Sequence, residues 1–138
     1  MNVTLPNLSS PDHGLSDIVS MIRTALVHAI RPATEQRFNL AWAYGSFLNL
    51  VPQRLGRSEA LDSSVLALTQ AHTDFCLRRS VSVTTTISYG KALRKLRATL
   101  NDPETAQAAG TLCAIVLLLQ AQVTLTYPNP QSIADTSI

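Results

Sequence analysis

The run Leu112–Leu119, LCAIVLLL, constrains this chain more than any other stretch. It sits in a segment from Pro103 to about Gln122 that carries no Asp, Glu, Lys or Arg after Glu104. Wound at 100° per residue, eight successive apolar residues leave no polar side, so a helix here must be packed on several faces. The run is also far short of the roughly 20 residues needed to span a bilayer. The rest of the chain is therefore read as candidate cover for this helix.

Four further helical segments are expected. Residues 1–14 are polar, with two prolines, and read as a flexible lead-in. A first helix then runs from about Leu15 to Ile30, with Ile18, Met21, Ile22, Ala25, Leu26 and Ala29 on one stripe and Pro32 beyond its end. A second covers about Glu35 to Leu50, with Gly45 as a close contact or a weak point. Ser58 can cap a third, Glu59 to about Leu77, with Glu59 and Asp62 in its first turn to suit the helix dipole. A fourth is Tyr89 to Asn101, where Tyr89, Ala92, Leu93, Leu96 and Leu100 form an apolar stripe opposite Lys91, Arg94, Lys95 and Arg97. Asp102-Pro103 stops it, because the residue before proline is pushed out of the helical region.

The segment between, Ser80–Ser88, alternates and is β-branched, which by itself favours a strand. A strand needs a partner, and Val123–Tyr127 is the one other run of that kind, so packing is expected to override the local preference. Helix or strand stays open there. Pro128 and Pro130 end the order, leaving 128–138 as a disordered tail. The expectation is an all-α fold, an antiparallel array of about five helices over residues 15–127.

Charged residues make up 14% of the chain, against about 25% in an average globular protein. So little charge suits an inner portion of a larger helical body, or a chain with an apolar face. Helices one to four cannot enclose the fifth completely, and Leu112, Ile115, Val116 and Leu119 are expected to form a face that binds a protein partner or a second copy.

The net charge is +2, from eleven basic and nine acidic residues, which does not mark a nucleic-acid binder. Six of the eleven, Arg78, Arg79, Lys91, Arg94, Lys95 and Arg97, nevertheless lie in a stretch without acids. Base recognition would want aromatic or amide side chains among them, and Tyr89 falls on the apolar stripe. The cluster reads as a solvated helix face able at most to make weak, sequence-independent phosphate contacts.

No catalytic constellation emerges. Nucleophile-elbow and phosphate-loop motifs are lacking, and the glycines are scattered. His72 and Cys76 stand at i, i+4, which is half a metal site, and no further ligand pattern accompanies them. The two cysteines, Cys76 and Cys113, read as buried free thiols. No metal, no cofactor and no membrane association are expected, and the N-terminus lacks the pattern of a secretory signal.

The stretch YGKALRKLRATLNDPETAQAAGTLCAIVLLL resembles the regulatory, or middle homology, region of fungal zinc-cluster transcription factors. Tyr89, Gly90, Ala92, Leu93, Leu96, Leu100, Asp102, Pro103, Thr111, Leu112, Ala114 and Val116–Leu119 carry the likeness. Upstream, Val51-Pro52, Leu55-Gly56-Arg57, Ala60-Leu61-Asp62 and Ala71-His72 extend it to about residues 40–122. The chain departs from that family at Gly110, where an acid is usual, and at Gln122-Val123. It also lacks the six-cysteine DNA-binding cluster. The resemblance implies a helical, non-enzymatic regulatory fragment in the nucleus, acting through protein contacts, with regulation of a metabolic gene cluster as one role. The rival reading is a helical adaptor unrelated to transcription, located in the cytoplasm.

Overall fold

The computed structural model describes residues 11–126 of the chain, and over these residues it is all-α. Its helices are α1 (Pro11–Ala29), α2 (Leu40–Tyr44), α3 (Glu59–Cys76), α4 (Val83–Asn101), α5 (Pro103–Ala106) and α6 (Ala109–Thr126). Short 3-10 turns at Gln36–Phe38, Ser46–Leu50 and Pro52–Arg54 flank α2. The expected tail, 128–138, and most of the expected lead-in lie outside the described residues.

The third helix forms as read: Ser58 Oγ accepts the Leu61 amide at 3.2 Å and α3 runs on from Glu59. It becomes the centre of the fold. Ala60, Leu61, Ser64, Val65, Ala67, Leu68, Ala71, His72, Asp74 and Cys76 are all buried, so α3 is enclosed on more than one side. It packs most extensively on α6 and α4, then on α1, and α4 also touches α6. The main core joins Ile22 and Leu26 of α1, Leu40, Leu48, Val51 and Leu55 of the α2 region, Leu61, Val65 and Leu68 of α3, and Leu117 and Ala121 of α6. A smaller cluster joins Ala67, Ala92 and Leu118, where two alanines let α3 and α4 approach closely.

Six sequence expectations need correction. Helix α1 opens at Pro11 inside the expected lead-in, because proline at a first helical position lacks only an amide that has no partner there. Its apolar stripe is only partly inward, with Ile22 and Leu26 buried but Ile18 at 50% and Met21 at 58% exposure.

The second helix is broken. Asn39 caps α2 by accepting the Trp42 amide at 3.0 Å. Gly45 then leaves the helix at φ +131°, a backbone geometry open essentially to glycine.

The ambiguous segment is helical from Val83, so α4 starts six residues before Tyr89. Ser82 caps it, accepting the Thr85 amide at 3.2 Å. The fifth helix is two helices, with a break at Gln107-Ala108 bridged by Thr111 Oγ1, which donates to the Thr105 carbonyl at 2.6 Å. Its second part continues through Val123–Thr126, the run offered as a strand partner.

Finally, α4 is turned about its axis relative to its leucine stripe. The buried residues are Thr85, Ser88 and Ala92, while Leu93 and Leu100 remain 45% exposed.

Candidate functional site

Helix α6 contains no charged residue over its 18 residues, and its mean hydropathy over that window is 1.7. By length and composition it could cross a membrane, which the eight-residue run alone did not suggest: Thr, Gln and Ala extend the helix on both sides of the run. In the fold one side of it is committed. Thr111, Ala114, Leu117, Leu118 and Ala121 are buried against the other helices. Gln120 Nε2 donates to the Tyr44 carbonyl at 3.2 Å.

The opposite side is open. Leu112 is 64% exposed, Val116 37%, Leu119 57% and Val123 55%. Their spacing of 4, 3 and 4 residues places them in one line along the helix. Of the four residues expected on this face, Leu112, Val116 and Leu119 form the line, and Ile115 is half-buried at its edge. Val123 was missed, although it continues the same spacing from Leu112 and Leu119. Leu93 and Leu100 of α4 were also missed, because the helical pattern assigned them to the core.

The six basic residues separate into two groups. Arg78 and Arg79 lie in the exposed α3–α4 connection, and Arg78 has a left-handed backbone at φ +55°. Lys91, Arg94, Lys95 and Arg97 lie on α4, eight or more residues beyond its start at Val83 and so about 12 Å or more along the helix. Two of the six are engaged: Arg79 Nε meets Asp74 Oδ1 at 2.6 Å and Lys95 Nζ meets Glu59 Oε2 at 2.9 Å. Lys91, Arg94 and Lys95 rim a cleft of about 610 Å³ whose floor is Ile18, Val19, Ile22 and Leu66. Glu59 and Asp62 share that rim, so its charge is mixed. Burial raises the Asp62 carboxyl above its usual range, against the Gly56 amide that bonds it at 3.0 Å.

His72 and Cys76 do meet, in a buried polar network that the sequence shows only in part. Cys76 Sγ lies 3.2 Å from His72 Nε2, and both groups reach the Arg37 carbonyl at 2.8 Å. His72 Nδ1 lies 3.0 Å from the Tyr44 hydroxyl, which also lies 2.8 Å from Thr124 Oγ1. Tyr44 and His72 stack edge to face at 5.1 Å. Burial lowers the His72 pKa, favouring the neutral ring, which donates from Nε2 to Arg37 and accepts from Tyr44 at Nδ1. Burial raises the Cys76 thiol, as it does that of half-buried Cys113. A protonated thiol beside a neutral imidazole is a weak nucleophile, so the network ties α2 to α3 and α6. No three His, Cys, Asp or Glu side chains converge as a metal site among the described residues.

The feature with the clearest capacity for function is therefore the uncovered line on α6. No family model, curated protein or solved structure matches this chain.

Proposed function

We propose that this chain is a non-catalytic helical module that docks protein through the open side of α6, in the service of transcriptional regulation. One observation carries the docking part: Leu112, Val116, Leu119 and Val123 stand exposed in line on a helix with no charge of its own. Scattered exposed leucines are ordinary, but an aligned apolar patch is the kind of surface that partners cover. The transcription-linked role rests on the resemblance of residues 40–122 to the middle homology region of fungal zinc-cluster factors. Without a six-cysteine cluster in these residues, the chain would act on a regulator or alongside one, in the nucleus, and specific DNA contact would belong to that regulator.

Tethering tests both parts. The chain is fused to a heterologous DNA-binding domain, and reporter output is compared with that of the same fusion carrying Leu119→Glu. A change in output from the fusion, lost in the variant at equal protein level, is expected. A fusion with no effect on the reporter would refute the transcriptional role. An effect that survives Leu119→Glu together with Val116→Glu would refute α6 as the docking surface.

A further inference from the structure

We propose that the partner on this face is a second copy of the chain, with the two α6 helices packed antiparallel about a two-fold axis; this rests on the reading of α6 as a docking surface. Three observations converge on it.

The first is extent. Tyr89 and Leu96 of α4 pack beside Leu118 of α6. Leu93 and Leu100, each 45% exposed, lie one step further round α4 on that same shoulder. The apolar surface thus continues from α6 onto the edge of α4, where exposed Arg97 stands between Leu93 and Leu100 in the same line. An 18-residue helix is about 27 Å long, and two helices 8–10 Å apart present a face roughly 20 Å wide. That is about 500 Å² in flat projection and more in accessible area, the scale of the roughly 800 Å² each partner contributes to a stable interface.

The second is self-complementarity. A two-fold interface sets the same residues of both copies against each other. Helix α6 has no ionisable side chain between Ala109 and Thr126 except the half-buried Cys113 thiol, so pairing it with itself opposes no like charges. A lipid surface is a poorer match. Helices lying in a bilayer interface carry Lys or Arg on the face opposite the apolar one, whereas that face of α6 is the protein core.

The third sets direction. Asp102 and Glu104 precede the N-terminal end of α6, while Arg78 precedes α4, whose start lies at the other end of the antiparallel α4–α6 pair. Glu104 and Arg78 have no ion-pair partner among the described residues. Arg54 and Arg57 line the cleft beside Gly110 and Thr111, so the charge at that end is mixed and the direction rests on the two unpaired residues. Antiparallel packing brings Glu104 of each copy toward Arg78 of the other. Parallel packing would set Glu104 against Glu104 and Arg78 against Arg78.

Sedimentation velocity of the full chain over a concentration series tests this. A dimer is expected, with circular dichroism confirming that each variant stays folded. Leu119→Glu should weaken association at least about tenfold, whereas Met21→Glu, an equally exposed change on α1, should leave it intact. Arg78→Glu should weaken it modestly, and adding Glu104→Arg should restore it. A wild-type chain that stays monomeric, or that binds phospholipid vesicles as a monomer, overturns the proposal. So does equal disruption by Met21→Glu, and failure of the charge swap overturns the antiparallel arrangement. A monomer whose tethered reporter effect still depends on Leu119 would overturn the dimer alone and leave the docking reading standing.

Discussion

Replacing Asp74 by alanine should cost this chain about 3–5 kcal/mol, because its buried carboxylate is the charged acceptor for donors of Ser82 and Thr85 that would lose their partner. The Asp74 side chain is 2% exposed in the last turn of α3 and reaches across the connection to the start of α4. It accepts from Arg79 Nε at 2.6 Å, from the Ser82 amide at 3.0 Å and its hydroxyl at 3.1 Å, and from Thr85 Oγ1 at 2.7 Å. Burial alone would raise its pKa, but these hydrogen bonds together prevail and lower it.

The four contacts are unequal. The Arg79 side chain is 54% exposed, so that pair contributes about 1 kcal/mol or less. The Ser82 amide and the Thr85 hydroxyl would each lose a charged acceptor, and Thr85 is 1% exposed. Each loss of that kind costs about 1–3 kcal/mol. Against a total stability of about 5–15 kcal/mol, the change should lower Tm by about 10–20 °C.

Thermal unfolding by circular dichroism at pH 7 is the assay, with Arg79→Ala beside it at less than about 1 kcal/mol. If Asp74→Ala melts within about 3 °C of wild type, or if Arg79→Ala costs as much, the carboxylate does not hold the α3–α4 junction as described. A folded-state pKa below the unfolded value also sets the acid response. The Asp74 contribution is complete above the unfolded carboxyl value of about 3.9 and is lost as pH falls through the lower folded value.

Gly45→Ala should destabilise by about 1–3 kcal/mol, because φ +131° strains any residue with a side chain. The new Cβ would also stand 2.9 Å from Phe47 Cδ1; a denaturant midpoint unchanged from wild type would refute this. His72 should make stability fall as pH drops below about 6.5, since the folded state, with its lowered pKa, resists a proton that the unfolded chain accepts. Urea midpoints from pH 8 to 5 should show that loss in wild type and show it reduced in His72→Gln; parallel profiles would refute the assignment.

What could be read from residues alone was what nearest neighbours decide. Ser58 caps α3 because its hydroxyl needs only the amide three residues on. The Asp102-Pro103 boundary works the same way: the proline ends α4, and Asp102 Oδ1 caps α5 by accepting the Glu104 amide at 3.0 Å. The lack of charge in α6 was legible as well, and with it the expectation of an apolar face, because composition does not depend on packing.

The tertiary structure decided everything that needed a distant partner. Residues 83–88 are helical although β-branched, because Asp74, eight residues before Ser82, supplies acceptors that a strand there would have left unused. Which side of α4 went inward was settled by helix spacing. Ala92 and Ser88 allow the close approach to α3 that Leu93 and Leu100 would have blocked, so the leucines stayed outside. The His72 network joins residues up to 80 positions apart in sequence, through Tyr44 and Thr124. Such contacts have no local signature: each depends on where the backbone has carried two side chains, and periodicity reports only which side of one helix a residue is on.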